Sequence, residues 1–325
     1  MDRKLDIISA LEKMQKKEIA DKQPFKARAY TKVIRQLKAL NKQVTSMSDL
    51  DGVEGIGGGI KKKIEEILET GKLKQAEEYD NRPDIKAIED LMKIHGIGPS
   101  KAKSLVEESG IMGIDDLKKR EDLLNEKQKM GLKYWEEFQL RIPRTEMDKH
   151  AETIRGIIGG IDKKYIVALS GSYRRGGKDS GDIDVLITHP DDTIDYEEHF
   201  KKIVETCTKE KYVVDIFAQG PKKCLAVSRA KRCKHFRRID FMMTHKNEFP
   251  FALLYFTGSG PFNVAMRNYA IEKGYSLNEY GLKCLSGPRE GGFVNAGFEK
   301  EEDIFAFLGL KYVKPEDRID VVTPL

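Results

Sequence analysis

The spacing of apolar residues changes near Pro143, and this change restricts the fold more than any other feature of the sequence. Before it, apolar residues such as Leu5 and Ile8 recur at helical intervals, and strand patterns are absent. After it, helical stretches at 195–210 and 261–273 interrupt short β-branched runs. Those runs read YIVALSGS, GDIDVLIT, KYVVDIFA, CLAVS and RIDFMMT. We therefore expect a helical N-terminal part followed by an α+β part.

Composition excludes several classes of protein. The 325 residues are too many for one compact core, and 34% charged with 39% hydrophobic residues is typical of a soluble globular chain. There is no run of 18 apolar residues and no apolar signal-peptide core, so we expect an intracellular protein without a membrane span. The net charge of +5 permits a polyanionic partner. The four cysteines form no CxxC pair, which predicts reduced thiols and neither a zinc site nor a disulfide scaffold.

A glycine motif occurs twice in the helical part, as VEGIGGGI at 53–60 and IHGIGPSK at 94–101. Each copy places Gly-Ile-Gly at the start of a basic helix, where exposed backbone N–H groups bind a phosphate. One copy alone is equally typical of an ordinary turn between helices, and a Rossmann loop would need a preceding strand. Two copies favour helix-hairpin-helix binding to a DNA backbone. The glycines are Gly55, Gly57, Gly96 and Gly98.

Two aspartates, Asp182 and Asp184, lie two residues apart in an apolar strand, so both carboxylates face the same side. Asp240 in a second apolar strand could supply a third carboxylate. A few carboxylates together with substrate phosphates are what Mg²⁺ prefers. Taken alone, a DxD pair is more often a solvated edge or turn than a metal site.

The segment GSYRRGG at 171–177 supports the metal interpretation of these aspartates. Gly171 and Ser172 fall where a strand turns into a helix, so backbone amides and a hydroxyl can approach a triphosphate there. Arg175 can add a charge-assisted contact. Together these residues predict nucleotidyl transfer with two metal ions.

Several motifs, in this order along the chain, resemble those of the family X DNA polymerases. They are GIGPSKA, GLKYWEEF, RIPRTEM, GSYRRGG, SGDIDVLIT, RRID and YFTGS. The resemblance covers nearly the whole chain and is greatest to the polymerase beta type. It implies an α+β chain with helical lyase and helix-hairpin-helix modules, a nucleotidyltransferase palm with a mixed sheet, and an α+β thumb-like subdomain. The implied domains are 1–83, 84–143, 144–248 and 249–325. Independently of the resemblance, the sequence DNRPD at 80–84 breaks the helical pattern and predicts a linker near 80–85.

The resemblance also implies roles for the carboxylates. Asp182 and Asp184 would hold both of two Mg²⁺ ions, while Asp240 would hold the catalytic ion and help to deprotonate the primer 3′-hydroxyl. Mn²⁺ is an alternative ion, and a monovalent cation is expected at the hairpins. Arg238 would lie beside Asp240 near the primer end. Contacts to the triphosphate would come from Arg141, Gly171, Ser172, Arg175, Ser180 and Gly181.

The YFTGS segment resembles the part of the family that packs against the incoming sugar. Tyr255 would crowd a 2′-hydroxyl, with Phe256 and Gly258 in the same wall, although core packing explains both aromatic residues as simply. Asn263 and Arg267 match residues that touch the minor groove of the nascent pair, or they form a polar helix face.

Two residues depart from the pattern of close relatives in this region. Gly260 replaces an acidic residue and Val264 replaces a lysine, which puts base-stacking contacts in doubt.

Lys63 matches the lysine that forms a Schiff base in the family's lyase domain, and a solvent-facing helix lysine is the alternative. Its substrate would be the 5′-deoxyribose phosphate left after base excision. Close relatives carry a phosphate-binding lysine where this chain has Gly59. Other candidates for the 5′-phosphate are Lys22, Lys26, Arg28 and Lys61.

A further basic run lies between residues 218 and 238, where many Lys and Arg side chains occur without an acidic residue. It could track the template backbone, or it could be a solvated hairpin tip.

The expected function is filling of short gaps in base-excision repair, with 5′-deoxyribose-phosphate lyase activity. The partners would be gapped or nicked double-stranded DNA and deoxynucleoside triphosphates, and the protein would be a nuclear monomer, or would reside wherever the genome it repairs resides. A template-independent terminal transferase and a non-catalytic DNA-binding scaffold are the alternatives. Retention of all three aspartates argues against the scaffold.

Overall fold

The computed structural model describes residues 2–21, 23–40, 42–80, 82–287, 290–319 and 322. Contacts divide the chain into two compact units, Met1–Lys133 and Tyr134–Leu325. The boundary falls inside the 84–143 segment, so its last residues belong to the second unit. The finer division into four domains stays a prediction.

The first unit is helical, as the apolar spacing predicted. Its helices are α1 (Lys4–Ala20), α2 (Pro24–Ala39), α3 (Gly58–Thr70), α4 (Lys74–Asp80), α5 (Pro83–Met92), α6 (Pro99–Glu107), α7 (Ile114–Lys118) and α8 (Glu126–Lys133), with 3₁₀ turns at Met47–Leu50 and Glu121–Leu123. Helix α3 illustrates how the apolar spacing produces helices in this unit. Its residues Ile60, Ile64 and Ile67 lie on one face and are buried against α1 and α2. It ends at Gly71, whose φ of +81° suits a left-handed cap.

The two glycine hairpins have the same local geometry. Gly55 and Gly96 have φ values of +92° and +89°, a left-handed conformation that a side chain would strain. Gly57 and Gly98 then stand at the N-caps of α3 and α6. Each motif therefore presents the first backbone N–H groups of a helix, as the sequence predicted.

The second unit is α+β. Its helices are α9 (Trp135–Phe138), α10 (Arg144–Ile161), α11 (Gly171–Arg174), α12 (Tyr196–Lys209), α13 (Phe249–Thr257), α14 (Gly260–Glu272) and α15 (Glu301–Leu308), with a 3₁₀ turn at Pro315–Asp317. Its strands are β1 (Ile142–Pro143), β2 (Ile166–Leu169), β3 (Asp179–Ser180), β4 (Ile183–Thr188), β5 (Val213–Gln219), β6 (Lys223–Ser228), β7 (Arg237–Met243), β8 (Tyr275–Asn278) and β9 (Gly281–Cys284). The predicted helical stretches at 195–210 and 261–273 are confirmed as α12 and α14.

A mixed sheet in the order β2-β4-β7-β6-β5 forms the centre of this unit. The strands β4 and β7 pair in parallel, whereas the other neighbours are antiparallel. Helices α10 and α12 bury their apolar faces on the sheet, and a second core lies among α13, α14 and α15. Two small two-stranded sheets, β1-β3 and β8-β9, complete the unit. No helix within the described residues is long and apolar enough to cross a membrane.

Candidate active site

The parallel pair β4 and β7 brings two of the predicted carboxylates together. Asp184 on β4 lies directly opposite Asp240 on β7. Asp182 immediately precedes β4, two residues before Asp184, and therefore points to the same side. The strand register thus places all three aspartates at one end of the sheet.

The electrostatics of this group show that the carboxylates oppose one another. Burial, then the charges of Asp182 and Asp240, raise the pKa of Asp184 to about 7. Burial and the charge of Asp182 raise the pKa of Asp240 to about 6. Arg238 counteracts part of this effect because its guanidinium pairs with the Asp182 carboxylate. The Oδ1 atom of Asp240 is buried and has no hydrogen-bond partner among the described residues. Oxygen ligands that repel one another and include an unpartnered atom fit a divalent cation.

Gly171 allows the turn after β2 to approach these carboxylates. Its φ is +57°, and a Cβ atom there would lie 2.2 Å from Oδ2 of Asp184. The backbone N–H of Ser170 donates to the carbonyl of Asp184 over 2.9 Å. In the short helix that follows, the Ser172 hydroxyl donates to Oγ of Ser180 over 2.9 Å. A larger residue at position 171 would displace a carboxylate oxygen.

A cleft of about 600 Å³ opens beside these residues. It gathers most of the residues that the sequence assigned to metals, nucleotide and nascent pair, namely Arg141, Gly171, Ser172, Arg175, Gly181, Asp182, Asp184, Tyr255, Phe256, Gly258, Asn263 and Arg267. Ser180 is buried behind the wall of this cleft, and Asp240 lies opposite Asp184 in the sheet. The residues at the two departures, Gly260 and Val264, also line it.

The arginines of the cleft are held by neighbouring oxygen atoms. Arg141 donates through Nε and Nη2 to Oδ1 of Asp179, at 2.9 Å and 2.7 Å. Arg175 donates from Nη1 to the carbonyl oxygen of Thr257 over 2.5 Å. Both guanidiniums are therefore held in place without a ligand, and both retain further N–H groups that can donate to a polyanion.

The opposite wall comes from α13 and α14. Asn263 donates from Nδ2 to the carbonyl of Tyr255 over 2.7 Å, and the Arg267 guanidinium lies 4.9 Å from the centre of the Tyr255 ring. Phe256 contacts Tyr255 edge-on and also packs against a small core cluster under the sheet. It therefore serves core packing as well as the wall. The Gly258–Ser259 peptide bond at the end of α13 is cis.

The departures from the family pattern leave open space in this wall. A Cβ atom on Gly260 would meet nothing within 4 Å, and the Val264 side chain is 54% exposed. An apolar side chain that is exposed in a polar cleft is free to contact a ligand.

The lyase candidates lie in the first unit. Lys63 on α3 is half-buried, whereas Lys61 is exposed and lies 3.8 Å from Glu65. Lys26 lies 3.8 Å from Glu18, and Lys22 falls outside the described residues. A Cβ atom on Gly59 would again meet open space. The roles of these residues stay predictions.

The basic run of 218–238 requires a correction at Arg237. This side chain is buried and donates from Nε and Nη2 to the two oxygens of Glu146, at 2.7 Å and 2.9 Å. A residue so enclosed cannot track a template backbone. Lys222 and Lys223 are also paired with acidic residues, Glu248 and Glu279.

Sequence reasoning also missed a buried ion-pair network behind the cleft. Glu301 accepts from Arg174 over 2.7 Å and 3.1 Å and from Arg318 over 2.7 Å. Arg174 further donates to the hydroxyl of Thr257 over 2.7 Å. This network fixes α11, which carries Ser172, to the end of α13. The second arginine of GSYRRGG was assigned to the triphosphate, and nothing in the sequence indicated a structural role for the first.

Comparisons with known proteins match most of the chain to models of DNA polymerase domains and of helix-hairpin-helix domains. Residues 141–246 match the DNA polymerase beta palm and residues 252–319 the DNA polymerase beta thumb. Residues 2–73 match a helix-hairpin-helix domain, and 89–139 match the fingers domain of DNA polymerase lambda. A helix-hairpin-helix tandem model overlaps them at 47–110.

Curated relatives give the same result. DNA polymerase lambda of Rattus norvegicus is 30% identical over 97% of this chain and 56% of its own length. DNA polymerase lambda of Arabidopsis thaliana is 29% identical over 89% of this chain and 57% of its own length. Human DNA-directed DNA/RNA polymerase mu is 28% identical over 87% of this chain and 62% of its own length. The chain thus spans less than two thirds of these relatives. The ordered family models, the relatives and the carboxylate cleft lead to one conclusion: the chain belongs to the family X DNA polymerases.

Proposed function

We propose that this chain is a DNA-directed DNA polymerase that fills short gaps in base-excision repair. The observation that carries the proposal is the register of Asp184 against Asp240 beside the Gly171 turn. That arrangement supports a metal-dependent nucleotidyl transfer, and family membership supports DNA as the substrate.

In this proposal, Asp182 and Asp184 hold two divalent ions, and Asp240 holds the catalytic one. Mg²⁺ is the expected ion and Mn²⁺ an alternative, and such ions stabilise charge on the attacking and leaving oxygens. Asp240, whose buried Oδ1 has no hydrogen-bond partner among the described residues, would help to accept the proton of the primer 3′-hydroxyl. Arg238 pairs with the Asp182 carboxylate and would help to hold it in place.

The incoming deoxynucleotide would lie in the cleft. Its triphosphate would contact the α11 turn through Gly171 and Ser172, with Arg141, Arg175 and Gly181 around it. Ser180 supports this turn through its hydrogen bond with Ser172. Neutral hydrogen-bond donors and two guanidiniums suit a polyphosphate because they donate hydrogen bonds and add positive potential.

The sugar and the nascent base pair would face α13 and α14. Tyr255, Phe256 and Gly258 would exclude a 2′-hydroxyl by crowding it. Asn263 and Arg267 would touch the minor groove of the nascent pair. Their hydrogen bond and ring contact with Tyr255 hold them at the same wall.

DNA binding would rest on backbone contacts. The hairpins at Gly55, Gly57, Gly96 and Gly98 would each hold one phosphate at a helix N-terminus, together with a monovalent cation, and Lys61 adds charge beside the first. Such contacts carry no sequence information and weaken as salt rises. The partner would be gapped or nicked duplex DNA, bound by a monomer wherever the genome it repairs resides.

A second activity of the same chain would be 5′-deoxyribose-phosphate lyase chemistry at Lys63. This residue lies on α3, one turn after the first hairpin, so that a phosphate bound there would be near its amine. The proposed functional division remains a lyase domain at 1–83, hairpins at 84–143, a palm at 144–248 and a nucleotide-selection subdomain at 249–325.

Primer extension on a one-nucleotide gap and on the same primer without a template tests this function. We expect rapid addition of one templated nucleotide in the gap and little addition to the single strand, because the nascent pair is needed to complete the cleft. Equal extension of the unannealed primer would favour a terminal transferase. No extension of either substrate with Mg²⁺ or Mn²⁺ would favour a non-catalytic scaffold.

A further inference from the structure

Three side chains outside the cleft form a compact group of metal-ligating atoms. Glu146 and His150 lie one turn apart on α10, and Cys233 comes from the segment between β6 and β7. Their ligand atoms all lie within 4.8 Å of one another. The group is built from carboxylate, imidazole and thiol, the three ligand types that zinc accepts in proteins.

His150 supplies the second observation, because its Nε2 atom lacks a partner. The side chain is 0% exposed, and this buried nitrogen has no hydrogen bond among the described residues. The Oε1 atom of Glu146 lies 3.9 Å from this nitrogen. Burial lowers the pKa of His150 to about 4, so the ring is neutral at pH 7. A buried polar nitrogen without a partner is costly unless a ligand completes it.

The other ring nitrogen has the partner that a metal-bound histidine needs. Nδ1 lies 2.7 Å from the hydroxyl of Tyr212. If Nδ1 carries the hydrogen and donates to this hydroxyl, Nε2 keeps its lone pair for a ligand and lies 3.9 Å from Oε1 of Glu146. Metal-bound histidines are commonly oriented by such an outer hydrogen bond.

Glu146 is also prepared to act as a ligand. Burial raises its pKa, but the paired guanidinium of Arg237 outweighs that effect and keeps the pKa below its usual value. Arg237 uses one lone pair of each carboxylate oxygen, and each oxygen retains a second. Arg237 is itself fixed by a 2.9 Å bond to the carbonyl of Leu140.

The three ligand atoms must move slightly closer together to bind one zinc ion. Zinc–ligand bonds of about 2.0–2.3 Å at tetrahedral angles place neighbouring ligand atoms about 3.3–3.6 Å apart. The 3.9 Å between Glu146 and His150 is close to this range, and the 4.8 Å limit for the whole group leaves about 1 Å of movement. Cys233 can supply it through χ1 rotation, since it is half-buried in a segment without regular structure.

We propose that Glu146, His150 and Cys233 bind one zinc ion, with solvent as the fourth ligand. On binding, the Cys233 thiol becomes a thiolate and releases one proton to solvent, while the other two ligands give up none. The ion would tie α10 to the segment that leads into β7, the strand that carries Arg238 and Asp240. Cysteine spacing could not indicate this site, because its ligands are one cysteine and two residues on a distant helix.

Cobalt titration of the untagged full-length protein, stripped of metal and kept in excess Mg²⁺, tests the proposal. We expect a thiolate-to-cobalt charge-transfer band that saturates at one equivalent and is displaced by zinc. The band should vanish in Cys233→Ser and persist in Cys284→Ser, the matched control, since Cys284 is also half-buried. No band in the wild type, or an unchanged band in Cys233→Ser, would overturn the proposal.

Alkylation of the wild-type protein provides a test that depends on no variant. At free zinc about ten times the dissociation constant, about one site in eleven is empty. Zinc should therefore slow alkylation of Cys233 about tenfold and leave Cys284 unchanged. Equal rates for Cys233 with and without zinc would refute the site even if the serine variant failed to fold.

Discussion

The replacement Asp184→Asn should stabilise the metal-free protein while it abolishes nucleotide addition. Asp184 is half-buried beside two other carboxylates, and burial with their charges raises its pKa from 3.8 to about 7. The folded protein therefore binds this proton more tightly than the unfolded chain does. Consequently the wild type should lose stability as the pH rises through the window from about 4 to about 7.

The difference between these two pKa values corresponds to about 4 kcal/mol at pH 8. Asparagine has nearly the same shape but carries no charge, so the variant escapes this cost. We expect its free energy of unfolding at pH 8 to exceed that of the wild type by about 2–4 kcal/mol. The lower end of this range allows for a cost in free energy, because the two amide hydrogens of asparagine also need hydrogen-bond acceptors in this crowded site.

Urea unfolding, monitored by tryptophan fluorescence, measures this difference in the free energy of unfolding for the second unit of the chain. The sequence contains one tryptophan, Trp135, which lies in the second unit with Asp184. Denaturation of both proteins in chelator at pH 8 and at pH 4 gives the comparison. The gain should be present at pH 8 and largely absent at pH 4, where the aspartate is protonated.

The exposed residue Asp317 in the same unit provides the control, since Asp317→Asn should change stability by less than about 0.5 kcal/mol. Mg²⁺ should stabilise the wild type more than Asp184→Asn, because the ion neutralises a repulsion that the variant lacks. An Asp184→Asn protein that is less stable than the wild type at pH 8 in chelator would refute the electrostatic reasoning.

Three further predictions concern other parts of the chain. Lys63→Ala should lose most of the adduct that borohydride traps on an incised abasic site, while gap filling on a 5′-phosphorylated gap stays near normal; undiminished trapping would assign the nucleophile to another amine. Val264→Lys should lower the apparent Kd for a correct deoxynucleotide in pre-steady-state kinetics, because a cation would then face the nascent pair, and unchanged or weaker binding would contradict this. Glu301→Gln should destabilise the protein to urea by about 3–5 kcal/mol, because the buried guanidinium of Arg318 and the partly buried one of Arg174 would face a neutral amide; a loss below about 1 kcal/mol would show that water solvates them.

Local sequence signals were sufficient for much of the fold and for the cleft. The short apolar runs around Asp184 and Asp240 predicted two strands, and both are in the central sheet. The Gly-Ile-Gly turns could also be predicted from the sequence, because the positive φ at Gly55 and Gly96 is a local conformation that favours glycine. These features depend on residues close together in sequence.

Tertiary pairing explains what the sequence could not predict. Arg237 stands in a run of basic residues and looks like surface charge, but Glu146 on α10 pairs with it and buries it. Arg174, Glu301 and Arg318 meet only because α11, α15 and the C-terminal segment pack together. Which acid neutralises a given arginine depends on the packing of distant elements, and no local pattern records it.

Single-turnover insertion by Asp240→Ala on a one-nucleotide gap tests whether this cleft is the site of nucleotidyl transfer. We expect insertion to slow by at least about a thousandfold, because the variant lacks the carboxylate that would hold the catalytic ion and accept the primer proton. The Kd for gapped DNA should stay within about twofold, since the hairpin amides and lysines supply that binding. Near-normal insertion by Asp240→Ala would contradict the assignment of this cleft as the site of nucleotidyl transfer.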